Sequence, residues 1–528
     1  MSNISVTVKN YRCFEDSASL RFEFKDGFTS FVGENNSGKS SALRLFYEFR
    51  PIWNQLSNLN EIKEFIAEPR RLANKLLDLY DQEEIYTDFN DRPLEIEFKF
   101  NIENIAENDQ VNTFKLISNR VNWRIELYCG HNNKLINSNQ IRHFTITRNN
   151  FLINKQENHT IDCSPLISFL KDLTNSMYIG AFRNAITEGS ADYYDLKIGS
   201  TFIQQWNDWK TGGSKFQNRQ ATNIQKDLEK LFGFKSLEIN ASIPLKTLQV
   251  IIDGQPYKLR ELGAGISQFI VVLGNIAIKN PAYLFIDEPE QNLHPALQLT
   301  FLTTIGSYIK HSVYFSTHSI GLARSSSENI YSFHKSDNKT IVSKLEQQSS
   351  YSQLLGELSY STYKELGYES ILFVEGVTDI KVILQFLRKL KKDHKVILLS
   401  LDGNTLADAS REFELSELQR LSNNINILID SERTSKDSDP PTNRVEFNQK
   451  CLDLGYNICM LELRATENYF TDAAIKSVLG PKFNALENYQ KLNDIQPSWS
   501  KSDNWKIASE MHLDDFINTD LGKFLSSI

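Results

Sequence analysis

Two kinds of apolar pattern alternate along this chain, and their order sketches its architecture. Every-other-residue alternation marks Ile4–Val8 and Leu20–Phe24 as half-buried strands. Asp26-Gly27 signals a turn into Phe28–Val32, which reads as a buried strand. Ser41–Tyr47 reads as a helix, and residues 50–90 as polar and mostly helical, with helical spacing over Glu61–Ile66 and Leu72–Leu77. Leu94–Ile102 alternates cleanly, as a half-exposed antiparallel strand does, and Trp123–Leu127 and Phe144–Thr147 look like its neighbours. This middle section reads as an antiparallel sheet added to the core fold.

Further along, Ser176–Gly180 is a short apolar strand. Residues 201–232 read as helices with Trp206, Trp209, Ile224, Leu228, Leu231 and Phe232 on their apolar faces, broken at Thr211-Gly212-Gly213-Ser214. No long heptad run predicts a coiled-coil arm. Leu248–Gly254 is a strand entering a turn, Phe269–Ile278 an apolar helix, and Tyr283–Asp287 and Val313–Thr317 buried strands with polar tips. After Ser349–Ser352 the composition changes and a second α/β unit begins. Its strands are Ser370–Val374, Val396–Leu401 and Ile425–Ile429, with a helix over Thr378–Leu387. The expected domains are residues 1–345 with a helical insert at about 185–235, a linker at 346–366, and residues 367–528, of which 480–528 carry no specific signal.

At 528 residues, two to four domains are expected. No window approaches the ~20 apolar residues of a membrane helix, and Met1–Val6 has no signal-peptide layout. The five cysteines, Cys13, Cys129, Cys163, Cys451 and Cys459, are scattered without C-x-x-C pairs. They predict a reducing, cytoplasmic setting and no zinc site. The net charge of −8 requires any nucleic-acid contact to come from a local basic surface. The densest is Arg388-Lys389, Lys391-Lys392 and Lys395, which reads equally well as a phosphate grip or a solvated helix face.

Gly33-Glu34-Asn35-Asn36-Ser37-Gly38-Lys39-Ser40, followed by Ser41, fits the phosphate-binding loop, and the flanking strand and helix are the context that motif needs. Its backbone N–H groups and the helix N-terminus favour phosphate oxygens. Lys39 is expected to reach the β/γ-phosphates of ATP and Ser40 to ligate Mg²⁺. Asp287 and Glu288 stand at a strand tip expected at the same edge of one parallel sheet. There Asp287 would hold the Mg²⁺ shell and Glu288 would polarise the attacking water, although a plain helix cap uses the same residues. His318, at the next strand's tip, reads as a γ-phosphate sensor or as an ordinary sheet-edge histidine. In the second unit Glu375, Asp430 and Glu432 also end strands. Converging hard oxygens without His or Cys favour Mg²⁺ or Mn²⁺ over zinc, and such a cation can activate water toward a phosphodiester.

Asn10-Tyr11-Arg12-Cys13-Phe14, the phosphate loop, Gly263-x-Gly265, Asp287-Glu288-Pro289-Glu290 and Ser316-Thr317-His318-Ser319 together resemble the ordered motifs of ABC-type ATPases. The nearest branch is that of SMC-like and overcoming-lysogenization-defect (OLD) proteins. That resemblance implies an ABC-type P-loop head working as a homodimer or higher homo-oligomer, with Gly263 and Gly265 contacting the partner copy's nucleotide. The segment Glu261–Gly265 departs from the usual signature, lacking its serine. The helices at 200–232 resemble the position of the OLD dimerisation insert, or are a plain surface insertion. Glu375-Gly376 and Asp430-x-Glu432, with Asp402-Gly403-Asn404 and Ala465–Phe470, resemble the Toprim domain of OLD nucleases. Glu432 stands where an Asp is usual. The resemblance implies a DNA endonuclease of prokaryotic anti-phage defence, sometimes with a protein or retron-type partner. The competing reading is a nucleotide-switched sensor or scaffold that binds DNA or a partner without cutting.

Overall fold

The computed structural model describes residues 4–71, 75–101, 109–130, 133–148, 150–154, 159–181, 192–291, 293, 295–336, 339–345, 369–401 and 424–528. The expected linker 346–366, the loop Asp402–Asn404, and Asn292 and His294 lie outside them. The chain forms two compact units. One holds Met1–His318 and Asn329–Leu345, the other Ser319–Glu328 and Glu346–Ile528.

The first unit is mixed α/β, built on two sheets around one aromatic core. A six-stranded sheet runs in the order Ser176–Ile179, Tyr283–Asp287, Ser312–Thr317, Gly27–Gly33, Asn329–Ser336, Lys339–Lys344. Its first five strands are parallel. The register sets Asp287 against Ser316 and Thr317 against Val32, so Gly33, Asp287, Glu288 and His318 all emerge at one sheet edge. A nine-stranded sheet includes Leu20–Phe24, Ile4–Lys9, Leu94–Phe100, Asp109–Ser118, Trp123–Cys129 and His159–Asp162. The helix Lys39–Glu48 buries Ala42, Leu43, Leu45 and Phe46. Phe46 stacks on Phe285 at 4.7 Å and meets Phe22 and Phe24 edge-on. That aromatic contact ties the helix behind the phosphate loop to the strand bearing Asp287. The helices Gly199–Thr211 and Lys215–Phe232 pack beside a three-stranded antiparallel sheet, Leu237–Ser242, Thr247–Ile252 and Gln255–Lys258. Trp206 is buried there and donates its indole N–H to Ile239 O (3.1 Å).

The second unit is a four-stranded parallel sheet in the order Val396–Ser400, Ser370–Val374, Ile425–Ile429, Asn457–Met460. Phe373, Leu401, Ile427, Phe447 and Cys451 fill one core beneath it. The helix Val377–Lys389 packs against Asn504–Glu510, Asp520–Ser527 and the helix Ile320–Ser326. Glu328, just after that last helix, pairs with the buried ammonium of Lys381. Among the described residues no helix is long and apolar enough to cross a membrane.

Candidate functional site

The phosphate loop owes its shape to backbone conformations most residues avoid. Asn36 and Gly38 have φ of 59° and 94°. A Cβ on Gly33 would lie 1.9 Å from Phe333 O, and one on Gly38 2.6 Å from Cys13 Sγ. Only glycine fits either position. Lys39 Nζ donates to Gly33 O (2.8 Å) and Glu34 O (2.7 Å), so the ammonium spans the loop's mouth. Burial lowers its pKa, opposed by Glu288, Asp287, Glu290 and Glu34. Ser37 Oγ is buried and makes no hydrogen bond. A curled loop, a buried lysine and an orphaned hydroxyl together suit a phosphate ligand.

The acidic side of the site is interlocked. Burial raises Asp287, against hydrogen bonds from Ser316 and Ser40. Glu288 sits at φ 49° and its N–H donates to Ser316 O (3.1 Å). Its Oε1 lies 3.1 Å from His318 Nε2, and its other oxygen accepts from Gln291. Glu290 Oε1 accepts from Thr317 Oγ1 (2.6 Å) and the His318 N–H (3.1 Å). Glu290 thus fixes the tip that carries His318, while its Oε2 is buried without a partner.

Beneath the loop helix is a residue that the sequence pattern did not single out. Glu48 is wholly buried, accepts from the Tyr11 hydroxyl (2.8 Å) and pairs with Arg12 (2.6 Å) and Arg44 (3.3 Å). The signal was a carboxylate closing the helix directly after Leu45-Phe46-Tyr47. It gives the Asn10–Phe14 motif a physical purpose: that turn pins the helix of the phosphate loop. Gly263 is the exposed N-cap of the helix Ala264–Lys279, and Gly265 faces Leu293 and Leu297. Glu261 Oε2 accepts from the Lys258 N–H (2.9 Å), closing the preceding turn.

In the second unit, Glu375 Oε1 accepts from the Asp430 N–H (2.7 Å), and Arg444 holds the same carboxylate at 2.8 Å. Asp430 Oδ1 accepts from the Thr466 N–H (3.1 Å). Burial drives Asp430 well above the carboxylate range, and Glu375, Asp379 and Glu467 add to it against Lys501. Asp379, in the first turn of its helix, is pushed up to about 7 by burial, opposed by Lys501 and aided by Glu375 and Glu467. Burial also raises Glu375, against Arg444. Burial works against the charge on Lys501, but Glu467 (3.0 Å), Asp430 and Asp379 outweigh it and hold the ammonium above its ordinary range. Glu467 Oε2 is buried with no hydrogen bond. Asp379 and Lys501 were not singled out in the sequence, because nothing local distinguishes them.

Glu432 behaves differently. It lies at φ 54° with its carboxylate on Arg464, which also donates to Glu432 O (3.0 Å). Glu375 and Asp430 come together; Glu432 turns aside to its arginine while still acting electrostatically on Glu375. Tyr469 does not face the acids either: its hydroxyl donates to Asp520 (2.7 Å). The basic cluster is largely spent inside the unit. Arg388 is involved in contacts within the fold, Lys389 donates to Ser509 O (2.9 Å), Lys392 to Ile528 O (2.6 Å), and Lys395 pairs with Glu369 (2.7 Å).

Residues 1–165 match the family model described as AAA ATPase domain. The chain carries an ATPase domain. Its matched span holds the phosphate loop and the turn that pins it. No curated protein matches the chain. Among solved structures, it is similar to the SMC head domain from Thermotoga maritima at 14% identity and TM-score 0.35, covering 66% of this chain and 100% of that one. It is also similar to the Smc head domain with an extended coiled coil, bound to the C-terminal domain of ScpA, from Pyrococcus furiosus, at 13% identity and TM-score 0.35, covering 68% of this chain and 100% of that one.

Proposed function

We propose that the ATPase domain drives a Toprim-type, metal-dependent DNA endonuclease in the second unit. In this reading the protein is of OLD type, acting in the cytoplasm as a homodimer or higher homo-oligomer in anti-phage defence, with or without a partner protein or nucleic acid. The observation that carries the nuclease reading is the gathering of Asp379, Asp430 and Glu467 around Lys501, with Glu375 joined to it through Asp430. Carboxylates gathered this closely repel each other, and burial drives Glu375, Asp379 and Asp430 toward the neutral form. A hard divalent cation removes both problems. Glu375, Asp430 and Glu467 would hold it once their side chains close up, since their donor atoms do not all lie within 4.8 Å of one another, and the orphaned Glu467 oxygen suits that movement. Bound there, Mg²⁺ or Mn²⁺ supplies activation of water and neutralisation of charge at a phosphodiester. Lys501, released from Glu467 by the cation, would pair with a backbone phosphate.

In the ATPase domain Lys39 and the loop N–H groups would grip the β- and γ-phosphates. Ser40 and Asp287 suit Mg²⁺, Glu288 accepts the proton of the attacking water, and His318 reports the γ-phosphate to Glu288. Gly263 and Gly265 would face the nucleotide of a second copy.

A second reading, a nucleotide-switched sensor or scaffold, is favoured by one feature: Arg464 and Arg444 already neutralise Glu432 and Glu375. Supercoiled plasmid with Mg²⁺ or Mn²⁺, with and without ATP, separates the two. Cutting lost in Glu375→Ala supports the nuclease. Cutting that survives this substitution rejects the assigned site, and no cutting under any condition favours the scaffold.

A further inference from the structure

Away from both sites, three strands of the nine-stranded sheet end beside one another. Asp109 opens Asp109–Ser118, Cys129 closes Trp123–Cys129, and His159 opens His159–Asp162. Asp109 stands opposite Ile161, which sets His159 at the same end, and Cys129 stands opposite Val111. A register shift between Val111 and Thr113 re-aims this corner, as bulges at sheet ends do. Gly130 follows at φ 68°, its N–H donating to Gln110 O (3.0 Å). A Cβ there would lie 2.9 Å from Asp109 Oδ1, so the glycine clears room for the carboxylate.

The donor atoms of these three side chains all lie within 4.8 Å of one another, a spacing met by no other such trio among the described residues. His159 Nε2 and Asp109 Oδ2 are 2.7 Å apart. The Cys129 thiol is buried and has only a weak 3.8 Å contact to Lys134 O. Donors around a tetrahedral cation with bonds of about 2.0–2.3 Å stand roughly 3.3–3.8 Å apart, so the trio needs adjustments of about 1 Å. One sulfur, one imidazole nitrogen and one carboxylate oxygen form a borderline set that suits zinc and not a hard cation such as Mg²⁺. The half-exposed histidine and aspartate leave a fourth position open to solvent.

We propose that Asp109, Cys129 and His159 bind one zinc-class divalent cation, clasping three strands of the added sheet. The ligands are 20 and 30 positions apart, so no short-spacing motif announces them. Such a clasp would run against the sequence expectation of no zinc site, and it is independent of the nuclease reading. Binding would displace the thiol proton to solvent and form the metal–sulfur bond in its place.

The plain alternative is an Asp–His ion pair beside an inert thiol. Cobalt(II) titrated into the metal-stripped full chain separates the two, because a thiolate-to-cobalt charge-transfer band reports sulfur ligation, which neither carboxylate site can produce. The expected result is that band saturating at one equivalent, lost in Cys129→Ser, and shifted to about a hundredfold weaker binding in His159→Ala. Zinc is also expected to raise the unfolding temperature of the native chain and of Glu375→Ala, but not of Asp109→Asn. Absence of the band from the native chain overturns the proposal. So does its survival in Cys129→Ser, which would hand it to another thiol.

Discussion

The phosphate loop and the carboxylate cluster of the second unit solve opposite electrostatic problems. The loop is a backbone device. Glycine conformations and a helix start prepare a place for negative charge, and Lys39 already lies across it. The second cluster is a side-chain device that concentrates negative charge, with Lys501 as its internal counter-ion. Both are buried, yet burial lowers the pKa of Lys39 and raises those of Asp379 and Asp430, the same cost of desolvation acting on opposite signs. A site prepared for an anion can be written into a short contiguous segment. A site prepared for a cation here needs residues from across the whole unit.

The sharpest way to break this contrast is to disable one site and watch the other. Lys39→Ala should lower phosphate release about a thousandfold, by analogy with removal of a preorganised charge-stabilising donor, and leave Mn²⁺ binding at the second unit unchanged by calorimetry. A parallel loss of Mn²⁺ affinity would mean the sites are not separate. Glu288→Gln should slow hydrolysis by about 10²–10³-fold while retaining nucleotide binding, read by phosphate release against fluorescent-nucleotide titration.

The next effect is in stability. Asp379 is raised in the fold to about 7, and Glu375 and Asp430 are raised with it. For such acids the neutral form is the one the fold favours. Their contribution is therefore fullest below about pH 4, where the unfolded chain is also protonated, and fades as pH rises to about 7. Melting curves of the metal-free chain should show a fall across that window, shallower in Asp379→Asn and shallower with Mg²⁺. An equal slope in the variant would remove Asp379 from the cluster. The smallest effect concerns the turn before Gly263. Glu261→Ala should cost about 1 kcal/mol in urea unfolding and change hydrolysis less than about twofold, since the carboxylate serves the Lys258 N–H.

The parts of the molecule legible in the sequence are those carried by local pattern. The alternation of Leu94–Phe100, the unbroken apolar run Tyr283–Ile286 and the mostly apolar run Ile425–Ile429 all appear as strands. Glu375 and Asp430 could be named because each directly follows such a run. Glu432 followed the same logic yet is turned to Arg464, since a left-handed residue three places beyond the strand no longer obeys the strand's alternation. Lys501 comes from the stretch 480–528, polar and without motif, and enters the cluster only through tertiary packing. The basic run after Phe386 also reads locally as a surface, but two of its members, Lys389 and Lys392, bond the backbone at the chain's last helices.

The excursion of Ser319–Glu328 has a bearing on any attempt to dissect this protein. A fragment starting at Glu346 would omit the helix Ile320–Ser326 and the Glu328 carboxylate that partners the interior Lys381. The peptide thread passes from one body to the other at 318–319, 328–329 and 345–346, so no single scissor cut yields two whole pieces. A workable half-molecule would need that ten-residue loan returned, spliced in or supplied as a separate peptide.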